Sequence, residues 1–332
     1  MSHTLFKGTG SAATGRAGRD RTSNVAEGVV VKPVTAKDLA ILAALPVSFV
    51  VAWTLPEPLW RGVARASSPL AARAIRTKLQ PTIERIEGLL GARQMACSPM
   101  AVVQESIAGH VEEYLQVLRE YRPRGWRPDI RLEGRSHIDD ALARGRGVVL
   151  WVGFFSFAGL VAKKALCREG IRTSHLSHPG HGFSRSRFGM LYLNRLRMRI
   201  EDRYLNERVM LSLDGATGAL RQLHRRLRRN EVVSVTVRER AERPSMVPFL
   251  DGTIRLATGA ADLAYATGAA LLPVFPVREA QGHFRVVVEP PLEVRQHLAR
   301  RESSDLALRD YAARLTPFVL DYPGQWRGWL HV

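Results

Sequence analysis

Short apolar runs alternate with amphipathic segments through the second half of the chain. Val148 to Val152 is a continuous apolar run after a glycine-rich turn, whereas Thr217 to Arg228 places apolar residues at helical spacing. A short apolar run of this kind is typical of a strand buried on both faces of a parallel sheet. The alternation predicts an α/β domain over residues 129–332, in which helices flank a mostly parallel central sheet. Strands are predicted at 129–134, 148–152, 171–176, 208–213, 232–237, 270–276 and 283–289, and helices at 137–143, 157–168, 217–228, 257–267 and 305–321.

Residues 56–128 have the pattern of a helical extension. Ser98 followed by Pro99 is a typical helix start, because serine caps a helix and proline fits its first turn. The residues that follow form an apolar stripe, which predicts an amphipathic helix packed on the main domain. The stripe contains Val103, Ile107, Val111, Leu115 and Leu118, and the opposite side carries Glu105, Glu112, Glu113 and Arg119. His110 lies near the stripe, so we expect a buried packing histidine there rather than a catalyst.

The first strongly apolar segment runs from Leu39 to Leu55. At 1.5 Å per residue its 17 residues span about 26 Å, less than the roughly 30 Å hydrocarbon core of a bilayer, and Pro46 interrupts it. Lys and Arg lie on both sides of the segment, and this enrichment is typical of cytoplasmic flanks. We therefore expect residues 35–55 to form a monotopic or re-entrant membrane anchor. The alternative is a buried core helix.

The composition limits the classes of partner. The 332 residues carry a formal net charge of +18, which indicates polyanionic partners. Residues 1–34 lack apolar periodicity and predict a disordered basic tail, with no stretch resembling a secretory signal. Without interleaved aromatics or a helix-turn-helix pattern, nucleic acid is not expected as a partner. Cys97 and Cys167 belong to no Cys/His cluster, so we expect neither disulfides nor a metal site, and a reducing compartment.

The stretch Gly147 to Gly159, GVVLWVGFFSFAG, carries a resemblance to a known family. It is similar to G-V-I-L-x-x-x-H-F-G-N-W-E, the signature of the lipid A biosynthesis lauroyl/myristoyl acyltransferases within the lysophospholipid acyltransferase superfamily. On that pattern Phe154 stands at the catalytic His and Gly159 at the Glu five residues later. An imidazole removes the proton of the acceptor hydroxyl and a carboxylate orients it, and neither Phe nor Gly can do so. The resemblance therefore implies a divergent member without the usual dyad.

Further matches extend the resemblance to roughly residues 37–331. They include Val247, Pro248, Phe249, Thr267, Gly268, Ala269, Pro273, Pro290, Pro291, Pro323, Gln325 and Trp326. Arg238 and Glu239 replace the family's D-Q or D-H pair, and Ser177-His178-Pro179 replaces its Y-R-P. The resemblance implies a glycerolipid-acyltransferase-like fold and a location at the cytoplasmic face of the cell inner membrane.

The loop after the third predicted strand of the domain, HLSHPGHGFSRSR from His175 to Arg187, is where we expect a substitute base. It follows a strand parallel to 148–152, so it lies at the same edge of the sheet as the Phe154 turn. We assign His178 and His181 as catalytic candidates, and Asp214 or Glu239 as possible orienting acids. The substrate-binding candidates are Ser156, Ser184, Arg185, Arg187, Arg238 and Glu239. The alternative is that these histidines only fill a polar loop.

The resemblance implies transfer of a fatty acyl group from acyl-ACP, or acyl-CoA, to a hydroxyl of a lipid A-type glycolipid or phospholipid. The expected partners are acyl carrier protein, the membrane lipid or glycolipid, and the inner membrane surface, with no bound cofactor. Since the chemistry-bearing positions differ, the second interpretation is a catalytically silent relative that keeps the acyl groove. Such a relative would bind lipid or a membrane partner.

Overall fold

The computed structural model describes residues 32–74, 76–91, 98–178, 180–211, 216–236, 244–280 and 282–330. The described helices are α1 (Ala36–Thr54), α2 (Glu57–Ala74), α3 (Arg76–Leu90), α4 (Pro99–Arg119), α5 (Arg135–Ala143), α6 (Val161–Arg168), α7 (Asn194–Asp202), α8 (Thr217–Arg228), α9 (Gly259–Thr267) and α10 (Arg300–Asp321). The described strands are β1 (Asp129–Glu133), β2 (Val148–Val152), β3 (Thr173–Ser177), β4 (Leu205–Met210), β5 (Val232–Thr236), β6 (Pro244–Phe249), β7 (Gly252–Ala257), β8 (Ala270–Arg278) and β9 (His283–Val288). The predicted tail and the predicted domain boundaries stay predictions, and residues 1–31 lie outside the described part.

Seven strands form the central sheet in the order β1-β9-β8-β2-β5-β3-β4. Every neighbouring pair is parallel except β8 and β9, which are antiparallel. All five residues of β2 are buried, because alternate side chains enter the apolar clusters on opposite faces. Val149 and Trp151 join the first cluster, with α8, α9 and α10, and Leu150 joins the second, with α5 and α6. The predicted α/β fold with a mostly parallel sheet is confirmed.

Several predicted elements differ in extent from the observed ones. A π-helical turn, Gly189–Leu193, leads into α7, and neither was predicted. The antiparallel hairpin of β6 and β7 was also missed, because Pro and Gly interrupt its apolar pattern. β4 begins three residues before the predicted start at Arg208, and α10 begins at Arg300 rather than Asp305. These differences matter because α7 carries residues of the candidate site.

Helix α4 begins as predicted but buries part of its predicted polar side. Ser98 caps it by accepting a hydrogen bond from the Ala101 amide at 3.2 Å. Glu112 and Glu113, on the side opposite the apolar stripe, are nevertheless only 6% and 1% exposed. Burying a carboxylate is tolerated when it is paired, and Glu112 pairs with Arg278 of β8.

Helix α1 exposes an apolar side while its other side packs on the domain. The Thr35 hydroxyl and the Asp38 carboxylate form a capping box at its start. By length and composition α1 alone, among the described helices, could cross a membrane, and 11% of its most apolar window is buried. A core helix would be mostly buried, so that alternative does not fit. Pro46 lacks an amide hydrogen, which leaves one carbonyl of the helix without its usual donor.

Candidate functional site

The turn after β2 and the loop after β3 lie at the same edge of the sheet. β5 separates the two strands, and all three run in parallel, so their carboxyl ends meet at one side. The expectation that the Phe154 turn and the histidine loop share an edge is therefore confirmed.

The C-terminal segment closes the turn after β2. The Arg327 amide donates to the Phe154 carbonyl at 2.8 Å, and the Ser156 amide donates to the Gln325 carbonyl at 2.8 Å. The Ser156 side chain is fully buried, and its hydroxyl has no hydrogen-bond partner within the described residues. A substrate therefore reaches this hydroxyl only if the turn moves, so the substrate-binding role of Ser156 stays a prediction.

Arg197 fills the space next to Gly159. A Cβ atom placed on Gly159 would lie 2.0 Å from Nη2 of Arg197 and 3.0 Å from Oε1 of Glu113. The arginine comes from α7 and is only 5% exposed. The position that the resemblance assigns to a catalytic Glu is thus next to an existing ion pair between an arginine and another glutamate.

Two buried carboxylates and four cations form a continuous network at this edge. Arg197 bridges the carboxylates, at 2.5 Å from Glu113 and 2.7 Å from Glu201. The other contacts are Arg327 to Glu113 at 2.6 Å, Lys163 to Glu201 at 2.6 Å and Arg208 to Glu201 at 2.9 Å. The cations exceed the two carboxylates by two charges, and the exposed Asp202 accepts a further bond from Arg208. We refer to these six side chains as the ion network.

The pKa values follow from burial and from these charges. Burial raises the pKa of Glu113, but the charges of Arg197 and Arg327 outweigh it and lower the pKa to about 2. Burial also opposes ionisation of Glu201, yet its charged partners hold the pKa of this carboxyl well below its usual range. Burial lowers the pKa of Lys163 to about 8, although Glu201 acts in the opposite direction. Both carboxylates are therefore ionised at neutral pH.

His181 is the loop histidine that the structure brings against a carboxylate. Its Nε2 lies 3.0 Å from both carboxylate oxygens of Glu201, and its side chain is 16% exposed. His178 is exposed, and its Nδ1 accepts a hydrogen bond from the Gly180 amide at 3.0 Å. Sequence reasoning missed Glu201, although Arg197 four residues before it is a recognisable helical ion-pair spacing. The suggested orienting acids, Asp214 and Glu239, lie outside the described residues.

The remaining predicted residues lie around this loop. His175 is buried, with its Nδ1 2.9 Å from the Ser234 hydroxyl. Ser184 is 5% exposed and its hydroxyl lies 3.3 Å from that of Ser186. Arg185 and Arg187 are exposed. Arg238 and Glu239 lie outside the described residues, and the binding roles of all these residues stay predictions.

His110, which the sequence predicts to be a buried packing histidine, is half-buried between Arg327 and Tyr114. Arg327 donates to its Nδ1 at 2.7 Å, so the proton is on Nε2, which lies 2.9 Å from the Tyr114 hydroxyl. Burial and the charge of Arg327 lower its pKa to about 3. The Tyr114 ring stacks on Phe183 with centroids 4.6 Å apart, which joins α4 to the histidine loop.

We expect the folded chain to lose stability as the pH falls from 7 to 5. Burial lowers the pKa of His181 to about 4 and that of His110 to about 3, whereas in the unfolded chain both are near 6.5. In this window the unfolded state binds protons that the folded state does not, so each histidine contributes up to about 1 kcal/mol of loss per pH unit. Urea unfolding at several pH values measures the slope. His181→Asn should reduce it, while His297→Asn, at an exposed position, should leave it unchanged.

Comparison with known families gives a match over most of the chain. The model of the family described as bacterial lipid A biosynthesis acyltransferase matches residues 104–332. This range covers more than half of the chain and includes the turn after β2, the histidine loop and the ion network. A search among curated proteins finds no match.

Proposed function

Because the chain belongs to the bacterial lipid A biosynthesis acyltransferase family, we propose that it transfers a fatty acyl group from acyl-ACP, or acyl-CoA, to a hydroxyl of a lipid A-type glycolipid or phospholipid. The site of action in this proposal is the cytoplasmic face of the cell inner membrane. The observation that carries the proposal is the contact between His181 and Glu201 at the edge of the sheet. This contact supplies an imidazole and a carboxylate in a chain whose Phe154 and Gly159 replace the family's dyad residues.

His181 has the arrangement that a general base needs. Donation from Nε2 to Glu201 fixes the tautomer and leaves a lone pair on Nδ1, for which the described residues provide no partner. In the proposed step Nδ1 takes the proton of the acceptor hydroxyl, and the oxygen of that hydroxyl attacks the thioester carbonyl. The C–O ester bond forms, the C–S bond breaks, and the imidazolium returns the proton to the leaving thiolate. His181 is therefore our catalytic candidate in preference to His178.

A specific observation also supports the silent-relative interpretation. Three cations, Lys163, Arg197 and Arg208, already bind the Glu201 carboxylate, which leaves less negative charge to stabilise an imidazolium. A base is most effective when its pKa lies near the working pH, and burial lowers the pKa of His181 to about 4. Both features favour a structural role for the pair, so activity has to be measured directly.

The apolar side of α1 supports attachment to a membrane. Leu39, Val47 and Val50 are each about 60% exposed or more. Hydrogen bonds hold the chain on both sides of α1: the carbonyl of Pro33, just before the helix, accepts from the Phe188 amide, and Nε1 of Trp53, in its last turn, donates to the Leu118 carbonyl of α4. A helix held at both ends against the domain fits a monotopic anchor better than a free transmembrane span.

The outer side of α8 supports an acidic acyl donor such as acyl carrier protein. Together with the residue that follows the helix, it exposes four arginines without an ion-pair partner in the described part of the chain, namely Arg221, Arg225, Arg228 and Arg229. Such a basic surface attracts an acidic protein and increases its rate of association.

The test is acyl transfer from labelled acyl-ACP to a bacterial lipid extract. We expect His181→Asn to lower the rate roughly 10²–10⁴-fold, the usual effect of removing a general base. Asparagine keeps a donor for Glu201, so the fold should be retained, which circular dichroism checks. His178→Asn is the matched control from the same loop and should stay within a few-fold of the wild-type rate.

Three other results would change the assignment. If the wild-type protein transfers nothing but binds lipid from the same extract, the silent-relative interpretation is correct. If His181→Asn remains active while His178→Asn is inactive, His178 is the base. If both variants remain active, the base lies outside this loop and the proposed role of His181 is wrong.

A further inference from the structure

Two apolar side chains are exposed in a basic segment beside the histidine loop. Leu191 and Tyr192, in the π-helical turn Gly189–Leu193, are 49% and 62% exposed. Gly189 and Leu193 at the two ends of the turn are buried, so the turn is fixed while its middle faces outward. The exposed arginines on both sides of the turn, Arg185, Arg187, Arg195 and Arg199, have no ion-pair partner among the described residues. An exposed apolar pair with unpaired cations around it is unusual for a surface that only faces water.

Hydrogen bonds fix this segment to the start of α1. The Arg187 amide donates to the Lys32 carbonyl and the Phe188 amide to the Pro33 carbonyl, both at 3.0 Å. The Asp38 carboxylate in the first turn of α1 is fully buried and accepts from the Thr35 amide at 2.6 Å and the Thr35 hydroxyl at 2.7 Å. Burial alone would raise its pKa, but the neighbouring hydroxyls of Ser184, Thr35 and Ser186 outweigh burial and lower the pKa, so the carboxyl is ionised. The segment and the anchoring helix are therefore held together, and both present apolar side chains at this end of the helix.

Asn194 makes the histidine loop and the turn one rigid unit. Its Oδ1 accepts from the Phe183 amide at 2.7 Å and the Ser184 amide at 3.0 Å, and its Nδ2 donates to the Ser184 carbonyl at 2.8 Å. The side chain is fully buried, so these bonds are protected from water. A surface bound at the turn is consequently held at a fixed position relative to His181.

We infer that the turn Gly189–Leu193 is a second membrane contact, which binds the surface of an anionic bilayer next to α1. Leu191 and Tyr192 enter the headgroup region, where an amphipathic tyrosine ring is favoured. The arginines around them bind lipid phosphates, which guanidinium groups bind in bidentate fashion. The inference rests on the proposed attachment through α1. It adds that the edge carrying His181 faces the bilayer, so an acceptor lipid reaches the site from within the membrane.

The position of residue 192 relative to a bilayer can be measured with an environment-sensitive dye. Tyr192→Cys, in a chain with both native cysteines changed to alanine, is labelled with NBD and mixed with vesicles of phosphatidylglycerol and phosphatidylcholine. We expect a blue shift, higher emission and quenching by spin-labelled lipid. Leu220→Cys is the matched control. Leu220 is an exposed apolar residue too, at 40%, and it lies beside arginines, but its helix α8 packs on the opposite face of the sheet.

A second variant tests the energetic contribution without a dye. Leu191→Ser together with Tyr192→Ser should weaken binding to the same vesicles about tenfold or more, the effect of withdrawing two apolar side chains from the bilayer. If the unlabelled parent fails to float with vesicles, both the attachment through α1 and this inference are wrong. The inference is also wrong if the parent binds vesicles but the dye at position 192 shows the same emission and quenching as the dye at position 220. It is equally wrong if the double serine variant binds vesicles as tightly as the parent. In both cases the attachment through α1 stands.

Discussion

Introducing the two residues that the sequence resemblance places in the catalytic dyad, Phe154→His with Gly159→Glu, should give a poorly stable protein without any gain in acyl transfer. The Cβ atom of any side chain at position 159 would clash with the Arg197 guanidinium. Ion pairs with Glu113 and Glu201 hold this guanidinium in place. Displacing the arginine separates a buried ion pair, which costs about 3–5 kcal/mol. Urea unfolding and the transfer assay on the same preparation measure both effects.

A double-mutant cycle shows whether Arg197 is the cause. Gly159→Ala alone should lower the free energy of unfolding by about 1–3 kcal/mol, because the core becomes overpacked. The loss should be much smaller in the Arg197→Ala background, where the guanidinium is already absent. Gly88→Ala is the control, because no atom lies within 4 Å of a Cβ there and the residue is helical; it should stabilise by about 0.5–1 kcal/mol. An equal cost of Gly159→Ala in both backgrounds, or strong transfer by the restored dyad, would contradict this account.

The other large effect is expected for Glu201→Gln, which should lower the free energy of unfolding by about 3–5 kcal/mol. The amide keeps the shape of the side chain but removes the charge that Lys163, Arg197 and Arg208 share. Lys163 and Arg197 are buried and the side chain of Arg208 is only 8% exposed, so water replaces little of the lost partner. Urea unfolding at neutral pH gives the change directly.

Asp202→Asn is the matched control for that substitution. Asp202 follows Glu201 in α7 and binds the same Arg208 at 2.7 Å, but its side chain is 48% exposed. A pair with one solvated partner contributes about 0–1 kcal/mol. If the two variants lose the same stability, burial of the ion network is not what makes Glu201 important.

Apolar periodicity was sufficient to predict the sheet but not helix α7. β2 and β8 are runs of buried apolar residues, so their pattern is visible in one sequence. The nine residues of α7, NRLRMRIED, are mostly polar, and two of the charged ones, Arg197 and Glu201, are buried. Their burial depends on partners distant in sequence, such as Glu113, and hydropathy contains no information on those contacts.

The place of the histidine loop in the fold was predicted, but the contacts of its side chains were not. The parallel order of strands brought the histidine loop to the edge with the Phe154 turn, as topology requires. The choice of His181 over His178 depends on Glu201, which lies in the unpredicted helix. Likewise, the sequence placed Glu113 only opposite the apolar stripe of α4, and the structure shows its burial and its pairing with Arg327.

The contact between Gly159 and Arg197 restricts how this sequence can drift by single substitutions. A glutamate gained at 159 meets the arginine, whereas an arginine lost from 197 removes one partner from each of two buried carboxylates. Each of these single substitutions gives a protein that is less stable than the present chain. Most proteins tolerate a loss of only a few kcal/mol in their free energy of unfolding. We therefore expect relatives of this chain either to keep both the glycine at 159 and the arginine at 197 or to differ at both positions.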